Sequence, residues 1–463
     1  MYRFTVATVQ DLLARLSAFG SPPTPSAELR SVLGVSPATL SRLVAAAGAE
    51  VVRLGRTRAV AYARTRAVEG LGRRVPIFRV ASDGTPSRTG ELILLWERST
   101  WLEEEGAPGG WFAGLPPQVA DVVPQGYLGH GFARRHPDLR LPPRLGDWTD
   151  DDRLRAIALR GEDVVGNVIV GSESLSRFAG WAPSPDDPAD YPSLARRSAS
   201  DERSSSAGGE RPKFGAFRAG RHVLVKFATP EDAPVARRWR DLLWCEALAL
   251  QTIAASGQAH AVEAALHDVE GWRFLETVRF DRVGTRGRLP VLSLEALANE
   301  WLGDRESWTR AAGALSRGAA PYSLPAPEAA RLRWLDAFGQ LIGNTDRHFG
   351  NVAFLVADGG TLHVAPAYDM LPMVLAPSAE LLVDRAFVPA PPTGDNLAEW
   401  RDAAPWAARY WREVAAAPLL DADVRRMGEE ALSALDRLGR TVMPGTWERA
   451  CADVAPPPRG ASG

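Results

Sequence analysis

The sequence predicts an α+β protein in which a small, mainly helical module at the N-terminus precedes a larger two-lobed body with a mostly helical C-terminal lobe. Two observations lead to this prediction. The first 80 residues contain 12 arginines and 4 acidic residues, whereas the rest of the chain carries 42 basic and 52 acidic residues. Polar motifs in a defined order are concentrated between positions 204 and 370. A basic module attached to an acidic body is typical of a nucleic-acid-binding domain fused to a second activity.

Composition excludes several classes of protein. A chain of 463 residues favours two to four domains, and 45 % apolar with 24 % charged residues is typical of globular proteins. No apolar run approaches the length of a membrane-spanning helix, and the N-terminus lacks a secretory signal pattern. Cys245 and Cys451 stand in no disulfide or zinc-binding pattern. We therefore expect a cytoplasmic protein that has no membrane partner.

The N-terminal module has the pattern of two helices joined by a short turn. Residues 27–33 are typical of a short helix, Gly34 suits a tight turn, and Ser36 is a good N-cap for a second helix. Pro37 suits the first position of that helix and Gly48 its end. Helix, turn and capped helix form the helix-turn-helix pattern, whose second helix enters the major groove of DNA.

A basic hairpin is predicted directly after the second helix. The segment EVVRLGRTRAVAYARTR alternates apolar and polar residues around Gly55-Arg56, which is typical of the wing of a winged helix-turn-helix. The alternative is an ordinary helical hairpin packed on a sheet. On the winged interpretation, we expect double-stranded DNA to be contacted by Thr39, Ser41, Arg42, Arg53, Arg56 and Arg58.

The remaining chain divides by composition and pattern. Short strands and turns predict a small α+β domain, and a Pro-, Asp- and Ser-rich stretch predicts a linker. The predicted boundaries are 1–75 for the winged helix-turn-helix, 76–180 for the small domain, 181–207 for the linker, 208–290 for an ATP-binding N-lobe, 291–450 for a helical C-lobe and 451–463 for a disordered tail.

The segment 343–370 carries the clearest chemical pattern. Asp346 and Asn351 lie five residues apart in a polar loop, two short strands follow, and Asp369 comes after the second strand. Protein kinases have the same order: an Asp that accepts the substrate hydroxyl proton, an Asn that holds Mg²⁺, a hairpin and a second metal-binding Asp. Hard oxygen ligands of this kind are what Mg²⁺ beside phosphates requires.

A phosphate-binding region is predicted upstream of this segment. Of 54 basic residues only two are lysines: Lys213 ends the GGERPK motif of the glycine-containing loop SSSAGGERPKF, and Lys226 follows it. Lys226 lies on a predicted strand, and Glu246 lies 20 residues later on a predicted helix. A strand lysine paired with a helix glutamate is a kinase feature. A compact ammonium is not replaced by the wider guanidinium of arginine at such a site.

Together, SAGGERPK, VLVKF, the VRFDR run, GNTDRHFGN and APAYDM resemble the HipA family of bacterial serine/threonine kinase toxins. The fused N-terminal module is similar to the YjjJ branch of that family. The resemblance covers roughly residues 76–445 and implies a protein-kinase-like fold. It also implies an ATP- and Mg²⁺-dependent serine/threonine protein kinase that phosphorylates a cellular protein and inhibits growth. Known relatives modify a tRNA-charging enzyme, so a translation-related substrate is one expectation.

The resemblance assigns roles to individual residues. Asp346 is implied as the catalytic base, Asn351 and Asp369 as Mg²⁺ ligands, and Glu246 as the ion-pair partner of Lys226. The residues implied in ATP binding are Ser206, Gly208, Gly209, Lys213, Lys226, Val278, Phe280, His348 and Tyr368.

Val278 stands where the family often has Glu, so adenine contacts there would use the backbone. The candidates for inactivating autophosphorylation are Ser204, Ser205 and Ser206.

Two functions remain open from the sequence. One is the kinase toxin, with autoregulation of transcription through its own DNA-binding module. The alternative is a DNA-binding transcriptional regulator whose kinase-like body senses a nucleotide or a partner. Whether a separate antitoxin exists, and whether the protein binds DNA as a homodimer, are also left open.

Overall fold

The computed structural model describes residues 7–17, 22–55, 60–200, 211–303, 305–318, 321–378, 381–383 and 385–454. Contacts divide the chain into two compact units. Unit 1 comprises residues 1–125 and 132–182, and unit 2 comprises residues 126–131 and 183–463. Apart from the linker and the C-terminal tail, the predicted domain boundaries stay predictions.

The first half of the chain alternates between helices and short strands. In chain order its elements are α1 (Val9–Arg15), β1 (Thr24–Pro25), α2 (Ser26–Leu33), α3 (Pro37–Ala47), β2 (Val51–Leu54), β3 (Ala61–Arg64), β4 (Arg74–Val80), β5 (Pro86–Leu94), β6 (Thr100–Glu104), β7 (Gly110–Phe112), α4 (Pro117–Ala120), α5 (Gly126–His130), α6 (Phe132–Arg135), α7 (Asp150–Arg160), β8 (Val168–Val170) and α8 (Ser172–Gly180).

Local signals explain the helix pair α2–α3. Gly34 has φ +63°, which closes the turn, and the Ser36 hydroxyl accepts a hydrogen bond from the Thr39 N–H at 3.2 Å. These turn and cap predictions are confirmed. The two helices meet at 96°, an angle within the range for helix-turn-helix pairs. Strands β2 and β3 then pair antiparallel, with β1 on the other side of β3.

In the part of the chain that the structure describes, no single helix is long and apolar enough to cross a membrane. The bent α2–α3 pair, extended to Glu50, meets the same criteria of length and composition.

A five-stranded antiparallel sheet forms the rest of unit 1. Its strand order is β7-β6-β5-β4-β8, and α7 and α8 pack beside β8. Helix α7 begins at Thr149, which forms a capping box with Asp152. Buried Leu, Val and Ile side chains of the sheet and of α7 form one core cluster.

The turn between β5 and β6 is strained. Glu97 and Arg98 have φ values of +57° and +66°, so two successive residues other than glycine adopt the left-handed conformation. The hydrogen bond from the Leu95 N–H to the Ser99 carbonyl closes a three-residue loop, and left-handed residues in such a loop favour glycine because a Cβ atom crowds the backbone. Strands β5 and β6 are therefore joined by a turn in which Glu97 and Arg98 adopt an unfavourable backbone conformation.

Unit 2 contains a second sheet followed by a largely helical region. After α5, its elements are α9 (Tyr191–Ser200), β9 (Lys213–Arg218), β10 (Arg221–Ala228), α10 (Pro234–Ser256), β11 (Ala264–Val269), β12 (Trp272–Val278), β13 (Arg282–Val283), β14 (Gly287–Arg288), β15 (Val291–Ser293), α11 (Leu294–Leu297), α12 (Trp308–Arg317), α13 (Ala326–Leu341), β16 (Ala353–Val356), β17 (Leu362–Val364), α14 (Leu397–Ala416), α15 (Ala422–Val442) and α16 (Trp447–Asp453).

The sheet of unit 2 has the order β11-β12-β10-β9 and is covered on both faces. Its apolar face carries Phe and Val side chains that pack with Tyr191 and Ala195 of α9. The other face packs on α10, through Leu243, Ala247 and Leu275. Strands β9 and β10 form an antiparallel hairpin, and the predicted strand of Lys226 is confirmed.

The prediction of a linker over residues 181–207 is wrong for residues 186–200. Asp186 exchanges hydrogen bonds with the backbone of Phe217, and α9 follows. The fully buried Tyr191 donates its hydroxyl hydrogen to Glu276 Oε2 at 2.7 Å. Pro, Asp and Ser dominate the composition of this segment. It is nevertheless helical because α9 buries the aromatic side chains on one face of the sheet.

The C-terminal half of unit 2 buries the largest core, built by α10 to α15 and the three-stranded sheet β15-β16-β17. The tail predicted from residue 451 starts too early, because Cys451 to Asp453 complete α16. Trp447 anchors this helix: it is buried against Gly439, where a Cβ atom would come within 2.4 Å of the indole ring.

Replacing Arg98 with glycine should stabilise unit 1. The change Arg98→Gly removes a Cβ atom from a left-handed residue, and we expect a gain of about 0.5–1 kcal/mol after the entropy cost of glycine. Urea unfolding of both proteins measures the difference. Arg88→Gly is the matched control, since Arg88 is an exposed arginine within β5. This control should destabilise the protein, and a loss of stability in Arg98→Gly would contradict the strain argument.

Candidate active site

Lys226 is held inside unit 2 by two carboxylates. It lies on β10, and its side chain is only 5 % exposed. Its Nζ atom donates to Glu246 Oε1 of α10 at 2.5 Å and to Asp369 Oδ1. The structure thus brings together a strand residue, a helix residue and a residue that follows β17.

Burial and charge act against each other on these groups. Burial lowers the pKa of Lys226, but Asp369 and Glu246 outweigh it and raise the pKa above its usual value. Burial raises the pKa of Glu246, whose second oxygen, Oε2, is buried without a hydrogen-bond partner among the described residues. Burial also acts to raise the pKa of Asp369, but Lys226 outweighs it and lowers the pKa below its usual range. Lys226 and Asp369 therefore form a charged pair.

The two lysines of the chain lie opposite each other on neighbouring strands. In the antiparallel register, Lys213 of β9 pairs directly with Lys226 of β10. Directly opposite side chains share one face of a sheet, and like charges in that position repel. Lys213 also lowers the pKa of Asp369 and opposes the rise at Glu246, so its charge reaches both carboxylates. The carboxylates offset a repulsion that the sheet alone would not tolerate well.

Asp346 lies on the loop between α13 and β16, close enough to Asp369 for their charges to interact. The Asn351 side chain donates to the Asp346 carbonyl at 2.8 Å, which closes the loop. His348 Nδ1 accepts the Gly350 N–H at 3.0 Å. The hydrogen bonds of Asn351 and His348 hold the backbone of the loop on which Asp346 lies, while the Asp346 side chain stays exposed.

The same loop is tied to the helices behind it. Arg347 Nε donates to Asp336 Oδ1 of α13 at 3.2 Å, and the guanidinium also bonds the Asn344 carbonyl. Asp336 is buried and accepts both the N–H and the hydroxyl of Thr309, at 3.1 and 2.7 Å. Gly339 leaves room for Arg347, because a Cβ atom there would lie 2.7 Å from Arg347 Cδ.

Surrounding protein atoms partly desolvate the Asp346 carboxyl and raise its pKa, although the residue is still exposed at the surface. The charge of Asp369 adds to this rise, whereas His348 and Lys226 oppose it. A carboxylate with a raised pKa is a stronger base, which suits a group that accepts a proton.

Two aromatic rings stack beside the loop. Phe280 and Tyr368 lie 5.7 Å apart at 24°, and the Tyr368 hydroxyl donates to the Gly350 carbonyl at 3.0 Å. The Val278 N–H already donates to Glu263 O at 2.9 Å. Adenine contacts at Val278 would therefore use its carbonyl and not its N–H.

Sequence reasoning missed Asn344, Asp336 and Arg347. Asn344 is fully buried, and its side chain contacts the backbone of both Asp346 and Asp369. The order Asn-x-Asp was visible in the sequence, but a buried asparagine has no signal that separates it from an exposed one. The contact across 25 residues to Asp369 is a property of the folded chain.

Other predicted residues belong to unit 1 or lie outside the described residues. Ser41, Arg42 and Arg53 are exposed on α3 and β2, and Thr39 is half-buried with its hydroxyl bonded to Ser36 and Arg42. The predicted residues that lie outside the described residues are Arg56, Arg58, Ser204, Ser205, Ser206, Gly208 and Gly209.

The donor set around Asp369 fits Mg²⁺. Three carboxylates (Glu246, Asp369 and Asp346) face two lysines, and this excess of negative charge is one that a divalent cation would neutralise. Within the described residues there is no cluster of three or more His, Cys, Asp or Glu side chains that could hold a metal. Mg²⁺ beside phosphates does not need one, because it is usually bound by one or two carboxylates, by the phosphates and by water.

Comparison with known families identifies two matching regions. Residues 71–179 match the family model for the middle domain of YjjJ-like toxins, and residues 205–435 match that for the HipA-like C-terminal domain. Two solved structures are similar. One is a chain from the Shewanella oneidensis MR-1 complex of HipA, HipB and operator DNA, with a TM-score of 0.50 and 15 % identity over 82 % of this chain and 99 % of that one. The other is the Helicobacter pylori proinflammatory kinase CtkA, with a TM-score of 0.36 and 14 % identity over 52 % of this chain and 94 % of that one.

The similarity to the Shewanella chain concerns the fold alone. The TM-score for CtkA is too low to support an argument. A relative with much higher identity is Toxin YjjJ of Escherichia coli (strain K12). It is 35 % identical over 423 residues, which cover 88 % of this chain and 94 % of that protein. The chain therefore belongs to the HipA family of toxins, in its YjjJ-like group.

Proposed function

We propose that this toxin is an ATP- and Mg²⁺-dependent serine/threonine protein kinase that inhibits growth by phosphorylating a cellular protein. The observation that carries the proposal is the convergence of Lys226, Glu246 and Asp369 beside the loop of Asp346 and Asn351. These residues come from a sheet, a helix and two separate loops, and the pair Lys226–Glu246 is buried. Phosphoryl transfer depends on positioning and on charge stabilisation, which such a group supplies.

Each residue then has a defined task. Lys226, with Lys213 opposite it, would neutralise phosphate oxygens of ATP, and Glu246 would hold the Lys226 ammonium in place. Asp346 would accept the proton of the substrate hydroxyl as its oxygen attacks the γ-phosphorus and the bond to the leaving ADP breaks. Asn351 and Asp369 would hold Mg²⁺, which shields the negative charge of the phosphates when bound.

The described geometry also supports a place for the adenosine part of ATP. The stacked rings of Phe280 and Tyr368 offer a flat apolar surface at the end of β12. The Val278 and Phe280 carbonyl groups lie on the same segment.

Loss of the Asp346 carboxylate should abolish phosphotransfer. In Asp346→Ala no group accepts the substrate proton, and we expect the rate to fall by at least about 10²-fold. Binding of ATP with Mg²⁺, measured by calorimetry, should remain within about threefold, because Lys226 and Asp369 are unchanged. Labelled ATP and autophosphorylation provide the assay, and Asp358→Ala, in the turn after β16, is the control. A wild-type protein that binds the nucleotide but transfers no phosphate would favour the alternative of a regulator with a nucleotide-sensing body.

The rate should depend on pH through Asp346. Only the ionised carboxylate accepts a proton, and its pKa is raised. The rate should therefore rise with pH through a pKa above the usual value for Asp, and then level off. A rate that is constant from pH 4 to pH 7 would contradict this role. Circular dichroism at each pH separates loss of activity from loss of fold.

We also propose that the α2–α3 pair with strands β2 and β3 is a winged helix-turn-helix that binds double-stranded DNA, so that the toxin regulates its own transcription. The supporting observation is the 96° helix pair with Ser41 and Arg42 exposed on the second helix. The excess of arginine in the first 80 residues supplies the positive charge that phosphates attract.

Two exposed arginines provide the test of DNA binding. Arg42→Ala combined with Arg53→Ala should weaken binding to a duplex from the region upstream of the gene. The slope of log K against log salt should fall by about one for each lost phosphate contact. Arg426→Ala combined with Arg437→Ala, on α15, changes the net charge equally and is the control. Equal binding by both double variants in fluorescence anisotropy would contradict the expected contacts of Arg42 and Arg53 with DNA.

A further inference from the structure

Asn344 lies where the two loops of the candidate site meet. It follows α13 and is fully buried. Its Oδ1 atom accepts the Asp346 N–H at 3.0 Å, and its Nδ2 atom donates to the Asp369 carbonyl at 3.1 Å. Its own N–H donates to Gly339 O at 2.9 Å, within α13. The planar side-chain amide therefore connects the Asp346 loop with the segment after β17, and the backbone N–H ties Asn344 to the helix.

The chemistry of these contacts requires an asparagine. Asp346 and Asp369 present opposite backbone groups, an N–H and a C=O, so the bridging side chain must accept at one end and donate at the other. Aspartate lacks the donor, serine is too short to reach both groups, and leucine offers neither.

The backbone of Asp369 is in an unfavourable conformation that a hydrogen bond can stabilise. Its φ is +54°, in the left-handed region that residues other than glycine adopt at a cost. The bond from Asn344 to the Asp369 carbonyl helps hold that conformation, and with it the direction of the carboxylate. The position of the Asp346 backbone is set by the same amide.

We infer that Asn344 is a positioning residue that fixes the Asp346 and Asp369 carboxylates relative to each other and so sets the affinity of the site for Mg²⁺ in the presence of nucleotide. This inference rests on the proposed function. Residues that hydrogen-bond metal ligands typically change metal affinity by 10–100-fold when they are replaced. Asn344 acts on Asp369 through the backbone and does not itself reach the metal or the substrate.

The test compares two buried asparagines. Asn396 is 3 % exposed, and its Oδ1 atom accepts the Thr393 N–H at 2.8 Å at the start of α14. Asn344→Ala and Asn396→Ala each remove a buried amide that bonds the backbone, but only the first affects Asp346 and Asp369. Asn344→Ser is a second, milder variant that can be used if Asn344→Ala does not fold. All variants are measured below their melting temperatures, as determined by circular dichroism.

Two readouts separate positioning from stability. Calorimetry measures binding of a non-hydrolysable ATP analogue at a series of Mg²⁺ concentrations, and phosphotransfer is measured over the same series. For the Asn344 variants we expect the half-saturating Mg²⁺ concentration to rise about tenfold, with nucleotide binding in the absence of metal changed less than about twofold. Asn396→Ala should lower the melting temperature and leave the Mg²⁺ dependence unchanged.

The outcomes distinguish this inference from the proposed function. If the folded Asn344 variants keep the Mg²⁺ dependence of the wild type, the inference is wrong. If the wild type binds nucleotide with Mg²⁺ but transfers no phosphate, the kinase proposal fails while calorimetry still decides the role of Asn344. If the wild type binds no nucleotide with Mg²⁺, both fail.

Discussion

A lysine ammonium that is removed from water needs negative charge at close range, and the arrangement of unit 2 depends on this need. Lys226 obtains it from Glu246 of α10 and from Asp369 after β17. The cost of burying these charges is recovered only if all three groups stay together. The sheet, α10 and the segment after β17 are thereby held in one arrangement. Displacing any of them would leave a buried charge without its partner.

The same constraint explains how much of the candidate site could be predicted from the sequence. Asp346, Asn351 and Asp369 follow a local order, and strand alternation around β16 and β17 placed a hairpin between them. Lys226 and Glu246 could be paired because a strand and the next helix lie side by side in such folds. Asn344 and Asp336 could not be predicted, since their roles consist of contacts with residues that are distant in sequence or on neighbouring elements.

The errors in the predicted fold have a common origin. Composition predicts a linker at residues 186–200 and a tail from Cys451, yet α9 covers the aromatic face of the sheet and Cys451 packs against the largest core. Composition reports the intrinsic preference of a segment for order or disorder. Tyr191 and Trp447 are instead fixed by burial against other parts of the fold. The strained pair Glu97-Arg98 shows the reverse case: the pairing of β5 with β6 imposes a turn that its residues disfavour.

The left-handed backbone of Asp369 has an evolutionary consequence. Asparagine adopts this conformation about as readily as aspartate, so Asp369→Asn keeps the local shape, and Lys226 keeps Glu246 as its partner. One nucleotide change in an Asp codon is enough to make this replacement. If Asp369 holds Mg²⁺ as proposed, a lineage under pressure to silence the toxin could reach a folded, weakened form in a single mutational step, and could revert as easily.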